Sequence, residues 1–465
     1  MTASPVSRAA IRGLTALALS ISPLGLAFAQ PAINTPNPNG TLRTVTLDGQ
    51  AVDTTNPFFA SLGTNGRTCN SCHLASTAWS ISPNELRRRF EQTNGLDPVF
   101  RTVDGSNSPN ADVSTLDARR RAYSMLLSKG VIRIGLPIPA GAEFVLENVE
   151  DPYGFASAAQ LSLFRRPLPS TNLRFLTGVM WDGRESFPPL GTLPIASNNT
   201  PDQNQLALFL DLKHQANDAI TGHAEGAPVS DDLAASIANF ELNLATAQQV
   251  VSNAGALDIL GALGGPANLA AQPFYVTIND VLGADALGMP FNADSMTLFR
   301  TWSKSKDKAR ASIARGATLF GGKPINITGV GGLNDALGVA SIRGTCTTCH
   351  DTPNVGNHSV ALPIDIGVTD AAFRTDDMPL YTLRNLATGA TRKTSDPGRA
   401  LLTGKWVDIG KFKGPILRGL SSRPPYFHNG MAADLGAVID FYNTRFGVGI
   451  TAAEKADLIA FLGSL

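Results

Sequence analysis

Cysteine, histidine and net charge are all scarce in this chain, and each scarcity excludes something. Four cysteines in 465 residues cannot build a disulfide-dense scaffold. Charged residues make up only 16%, and 38 Lys and Arg cancel 38 Asp and Glu. A formal net charge of zero excludes the basic footprint of a nucleic-acid binder and argues against an acidic disordered chain. Beyond the N-terminus no apolar run approaches the ~20 residues of a bilayer span. What is present is ordinary globular material: 43% hydrophobic residues plus 44 glycines, in a chain long enough for two or three domains.

Residues 1–29 read as an export signal. Arg8 and Arg12 precede the largely apolar stretch Leu14–Leu26, and Ala27-Phe28-Ala29 is a small-x-small cleavage site. The stretch is too short for a membrane anchor, and Pro23 interrupts it. The expectation is a periplasmic protein with no membrane span. Pro31–Gly40, rich in Pro and Asn, reads as a loose lead-in.

The four cysteines fall in two copies of one pattern, Cys69-Asn70-Ser71-Cys72-His73 and Cys346-Thr347-Thr348-Cys349-His350. C-x-x-C-H is the attachment pattern of c-type haem: two thiols reach one porphyrin's vinyl groups while the adjacent His reaches the iron. A zinc ribbon needs its C-x-x-C halves about 15–20 residues apart, and Cys69 and Cys346 are far beyond that. A thioredoxin-type pair gives no reason for a His after both copies. Two covalently bound haem c groups follow, with His73 and His350 as iron ligands.

The fold class that follows is mainly α: two cytochrome c-like haem domains with long loops and a small β-hairpin insertion. The N-terminal haem domain is expected over 30–300 and the C-terminal one over 301–465. A helix over 117–130 ends at Gly130. Val131–Ile134 and Glu143–Leu146, separated by Pro and Gly, predict the hairpin. Ser230–Val250 predicts an amphipathic helix with Leu233, Ile237, Phe240 and Leu244 on one face. Ala311–Phe320 opens the second domain, and the Gly-rich stretch Gly321–Gly344 reads as a loop. Helices are expected over Asp434–Asn443 and Thr451–Leu465, the latter with a Thr451/Glu454 capping box. Each iron then needs a second axial partner or an open position. His214, His223, His358, His428, Met378, Met431, Tyr426 and Tyr442 are the residues to weigh, and spacing does not choose among them.

Together these residues resemble the bacterial di-haem cytochrome c peroxidase and MauG-like family. The order matches: haem motif, Trp181-Asp182-Gly183-Arg184, second haem motif, then Pro425-Tyr426-Phe427-His428-Asn429-Gly430. The similarity covers 160–260 and 310–465, and the stretch from His73 to Trp181 is longer than the family's. The resemblance implies that hydrogen peroxide reacts at the N-terminal haem and that the C-terminal haem relays or stores electrons. It places Trp181 between the haems, and Gln215 and Glu225 at the open face of the peroxidatic haem, the amide orienting peroxide and the carboxyl moving its proton. His223 is either a distal-pocket residue or the second ligand of the first iron. Tyr442, fourteen residues after His428, takes the position where peroxidases have Met and MauG-like proteins have a ligating Tyr, with Met378 or Met431 as alternatives. A phenolate stabilises ferric iron, whereas a thioether favours ferrous. The family also raises a calcium ion between the haems. Pro425 matches one such position, but Arg423 stands where the family has Thr, and Arg166 lies near the offset of its Asn; calcium stays an open alternative. The partners implied are peroxide and a small periplasmic electron donor, a cytochrome c or cupredoxin, or else a protein substrate. The competing reading is a non-catalytic di-haem electron-transfer cytochrome with both irons six-coordinate.

Overall fold

Gly40–Thr46 and Leu244–Val251 lie two hundred residues apart, yet both carry the β-branched and small side chains that suit a pleated surface. They pair antiparallel, with Val45 opposite Ala245. The computed structural model containing this pairing describes residues 31–186, 195–196 and 198–465. The expected leader, 1–29, lies outside the described residues.

In chain order the strands are β1 (Ala32–Asn37), β2 (Gly40–Thr46), β3 (Ile132–Leu136), β4 (Phe144–Glu150), β5 (Leu161–Arg165), β6 (Leu244–Val251), β7 (Gly255–Ala256), β8 (Ile325–Thr328), β9 (Ser341–Gly344), β10 (Leu380–Asn385) and β11 (Thr391–Thr394). The helices are α1 (Pro83–Thr93), α2 (Leu116–Ala122), α3 (Ser124–Lys129), α4 (Pro201–Gly222), α5 (Asp231–Leu242), α6 (Pro266–Ala270), α7 (Lys308–Gly322), α8 (Ala400–Thr403), α9 (Leu435–Phe446) and α10 (Ala452–Leu462). Among the described residues the strands form four small sheets, ordered β1-β2-β6-β7, β11-β10-β4, β3-β5 and β8-β9. Long loops join these pieces, as expected.

Four expectations are corrected. The lead-in is not loose: Ala32–Asn37 is the edge strand β1, turning tightly into β2, with the Asn37 carboxamide oxygen accepting the Asn39 amide at 3.0 Å. The helix expected over 230–250 is capped by Ser230 as foreseen but stops at Leu242, because Leu244–Val251 is claimed by β2. The two strands expected as a hairpin both exist but do not pair. β3 pairs with β5, which is buried along its whole length, and β4 pairs with β10. The Gly-rich stretch 321–344 holds the ribbon β8-β9.

The expected helices elsewhere form. The 117–130 segment breaks once, at Tyr123, and closes at Gly130 in the left-handed region at φ 61°, where glycine carries no Cβ penalty. Asp434 caps α9, and the Thr451/Glu454 box caps α10. α7 and α10 cross at Gly316, where a Cβ would collide with the Asp457 carbonyl. Their crossing buries Phe320 and Phe461 with Phe299 and Trp302 in the largest apolar cluster. That cluster joins residues on both sides of position 300, and the β4–β10 pairing joins the same two parts of the chain.

One sheet reaches into the first motif. Thr44 on β2 meets Thr246 on β6 at 2.9 Å, Thr246 meets Thr171 at 2.8 Å, and Thr44 accepts the Trp79 indole N–H at 3.0 Å. This buried hydroxyl ladder fixes Trp79, and the Trp79 backbone in turn holds His73.

Candidate active site

Both motifs fold into the same turn. Cys69–Ser71 and Cys346–Thr348 are single 3₁₀ turns, each closed by a reciprocal hydroxyl cap, Thr68 with Ser71 and Thr345 with Thr348. The histidine amide then bonds back to the first cysteine's carbonyl, at 3.0 Å for His73 and 3.1 Å for His350. The local sequence explains this: a hydroxyl before each first Cys and another three residues later satisfy the turn's free amides. Among the described residues no disulfide joins the four cysteines. Burial pushes Cys69, Cys346 and Cys349 up to about 12 and Cys72 up to about 11.

Each histidine is oriented from behind. His73 Nδ1 lies 3.0 Å from the Trp79 carbonyl and His350 Nδ1 lies 2.7 Å from the Gly356 carbonyl. A carbonyl only accepts, so Nδ1 carries the proton and Nε2 the lone pair, the tautomer a metal-ligating imidazole needs. Burial also pulls His73 down to about 4, keeping the ring neutral.

Each turn lines a large cavity, of about 1500 Å³ for Cys69–His73 and about 1660 Å³ for Cys346–His350, open mouths included. The residues fit a porphyrin. Both walls are mostly apolar, and where the cavities meet stand Arg166, Lys413 and, on the second cavity, Arg423. Arg166 and Lys413 are buried and Arg423 is half-buried, and none has a carboxylate partner among the described residues. Burial brings Arg166 down to about 9, Lys413 to about 8 and Arg423 to about 10. Buried cations without anions are costly, and the carboxylate edge of a haem would supply the missing charge.

The two cavities share a wall, and Trp181 is in it. Its indole N–H donates to the Arg166 carbonyl at 2.8 Å, and its own carbonyl accepts from the Lys413 amide at 2.8 Å. Asp182, next in the motif, is locked between Arg165 at 2.6 Å and Arg184 at 3.0 Å, and Arg165 also grips Asp396 at 2.7 Å. This buried cluster holds the Trp181 segment in place. His428 lines the second cavity edge-on to Trp181, with ring centroids 6.2 Å apart, and stacks on Phe412.

Opposite His350, the Tyr442 hydroxyl lies 3.5 Å from Nε2. Burial raises its phenol above the usual value. Neither Met378 nor Met431 lines this cavity; Met378 packs with Met125, Val131 and Phe164. At the first cavity Gln215 and His223 are on the wall, both from α4 and its C-terminal end. His223 Nδ1 is 2.6 Å from Asp104, which also pairs with Arg67 at 2.7 Å. Glu225 is not on the wall. It is exposed, at φ 54°, and its carboxylate accepts from Asn65 at 3.0 Å. His214 is also away from the cavity, 2.6 Å from Glu185, and His358 is buried against Asp351.

Three residues here escaped sequence reasoning: Arg67, Asp104 and Glu241, all lining the first cavity. Arg67 and Asp104 carry no readable spacing signal. Glu241 does, because it falls on the buried face of α5 beside Phe240 and one turn after Ile237, where a carboxylate interrupts an apolar stripe.

The residues do not fit calcium at the shared wall. The Arg166 guanidinium donates to the carbonyls of Lys129 and Ile81 at 2.7 Å each, Arg423 at 3.3 Å and Gly130 at 3.5 Å. These carbonyls are turned on a resident cation.

No protein-family model matches the chain. Among curated proteins it is 29% identical over 202 residues to the cytochrome-c peroxidase IdrP1 of Pseudomonas sp. (strain SCT), covering 39% of this chain and 45% of that protein. It is 29% identical over 142 residues to IdrP2 of Denitromonas iodatirespirans, covering 28% and 38%, and 33% identical over 135 residues to IdrP2 of the Pseudomonas strain, covering 26% and 35%. The matched stretches span less than half the length of these relatives. Two solved structures are similar at low scores: a MauG-like protein associated with microbial copper homeostasis (15% identity, TM-score 0.36, 88% of this chain and 86% of that one) and a variant of the diheme peroxidase BthA from Burkholderia thailandensis (14%, 0.31, 93% and 95%). Over the matched stretches the chain is similar to proteins named cytochrome-c peroxidases. Among the described residues no helix is long and apolar enough to cross a membrane.

Proposed function

We propose that the protein is an exported di-haem c-type oxidoreductase that reduces hydrogen peroxide at a haem held by Cys69, Cys72 and His73. Cys346, Cys349 and His350 would hold a second haem, which would supply the electrons, and Tyr442, facing His350, would be its further protein ligand. The observation that carries this reading is the shared wall: two motif-lined cavities meet at Trp181, which gives electrons a short route between them. In this reading residues 1–29 are the export signal, 30–300 the peroxidatic unit and 301–465 the electron-relay unit. The donor is a small periplasmic cytochrome c or cupredoxin, or the oxidising equivalents pass to a protein substrate.

Bound haem iron supplies the redox chemistry, two electrons to the peroxide O–O bond, while the protein positions, protonates and tunes. The Gln215 amide orients the peroxide. Asp104 holds His223 by Nδ1, leaving Nε2 to take a proton from one peroxide oxygen and deliver it to the departing one. With two electrons and two further protons, two waters result. His223 therefore takes the role that the resemblance assigns to Glu225.

The test is peroxide-dependent oxidation of a reduced small cytochrome c by the purified holoprotein, with visible spectra recorded alongside. Turnover, with high-spin ferric bands that peroxide alters, is the expected result. A purely low-spin spectrum inert to peroxide would leave the electron-carrier reading in its place.

A further inference from the structure

Glu241 is a buried carboxyl for which the chemistry above has no use. It is 5% exposed, lines the first cavity, and its Oε2 has no hydrogen-bond partner. Its neighbours in α5, Ile237 and Phe240, pack with Phe58 and Trp79, the apolar cluster behind the Cys69–His73 turn. Its one polar contact is the Ser170 hydroxyl, and Ser170 Oγ in turn lies 3.1 Å from His73 Nδ1, beside the Trp79 carbonyl that the same nitrogen reaches. Burial pushes the carboxyl up to about 7, so the site bears an energetic cost that a leucine or a glutamine would avoid. At the second turn the Gly356 carbonyl backs His350, and the buried Asp351 beside it bonds His358 and Ser359 rather than the His350 ring.

We propose that Glu241, acting through Ser170, is a positioning residue that fixes the ring orientation and raises the donor strength of His73 toward iron. Carboxylates behind a ligating imidazole raise its basicity, and a stronger donor favours oxidised iron and O–O cleavage. The two turns then differ in what backs the histidine nitrogen: at His73 a hydroxyl leading to a carboxyl stands beside the carbonyl, and at His350 a carbonyl does this, with the Asp351 carboxylate turned onto His358 and Ser359. The inference rests on haem attachment at Cys69–His73, so haem content is measured first. A product without haem at that motif removes the attachment reading itself.

In the haem-loaded protein, Glu241→Gln and Ser170→Ala are compared with wild type by resonance Raman of the ferrous form and by redox titration of each haem. Both substitutions should lower the iron–histidine stretching frequency at the first haem and raise its potential, leaving the second haem unmoved. Peroxide turnover should fall by about 10–100-fold, and Glu241→Asp should recover part of all three. If Glu241→Gln does not take up haem, Ser170→Ala alone decides. An unchanged stretch and potential in a loaded variant would overturn the proposal, as would equal shifts at both haems.

Discussion

The two motif regions share a turn and differ in what faces it. Around Cys346–His350 the lining is mostly apolar, with Tyr442 set 3.5 Å from His350 Nε2 and the cations Arg166, Lys413 and Arg423 at the shared wall. Around Cys69–His73 the lining carries Gln215, His223, Asp104 and Arg67, with Glu241 bonded to the Ser170 that touches His73. The turn is thus common to both motifs, and the residues brought in by α4, α5 and the 98–107 loop set the two cavities apart. A five-residue motif shows where a haem goes; it does not show which haem is reactive.

The largest effect comes from deleting one site at a time. Replacing Cys69 and Cys72 by Ser should abolish peroxide turnover while the second haem keeps its spectrum. The same change at Cys346 and Cys349 should leave peroxide able to perturb the first haem and abolish only oxidation of the external donor. Haem-stained gels with stopped-flow spectra check this, and a first-site deletion that still turns over peroxide would invert the assignment. Next in size is the proton path. His223→Gln should lower the rate of reaction with peroxide by about 10²–10⁴, the usual worth of a general acid–base group. Glu225→Gln, altering an exposed side chain off the cavity wall, should change it little. The reverse pattern would restore the role to Glu225.

That pair of variants marks where sequence reading reached its limit. Both motifs, Trp181, Gln215 and Tyr442 were legible because each sits at a fixed offset in a short motif, and the cavities contain all of them. Glu225 fits its offset as well, but Ala224 packs inward and the chain then turns at positive φ, which carries the next side chain outward. Asp104 lies more than a hundred residues from His223, so only the folded chain shows their contact. The fold divides in the same way. Capped helices such as α9 and α10 were legible because their signals are local. Strand partners were not, because β3, β4 and β6 each pair with segments set by tertiary burial. The β4–β10 pairing and the Trp302 cluster also cross the division expected at 300.

A smaller effect separates the second site from the first. Tyr442→Phe removes the one oxygen facing His350 Nε2 without changing the packing of the ring against Phe446 and Phe427. The second haem should lose its phenolate character, change its visible spectrum and rise in potential, since a hard anionic donor stabilises ferric iron. The first haem should stay as it was. Redox titration with spectral deconvolution reads both, and an unchanged second haem would take Tyr442 out of the coordination sphere.

The smallest expected effect is none at all, and it bears on the wall the two sites share. Arg166 turns its guanidinium onto the carbonyls of Ile81, Lys129, Gly130 and Arg423, while its own carbonyl accepts from Trp181. A fixed organic cation already does there what a metal ion would do, and it cannot be chelated. EGTA should therefore leave the spectra of both haems and the rate of electron transfer between them unchanged, and added calcium should change neither. Arg166→Ala strips the cation and leaves the carbonyls facing one another, so that variant should slow inter-haem transfer and gain a response to calcium. Loss of activity in wild-type protein treated with EGTA, recovered by calcium, would show that Arg166 does not fill the role.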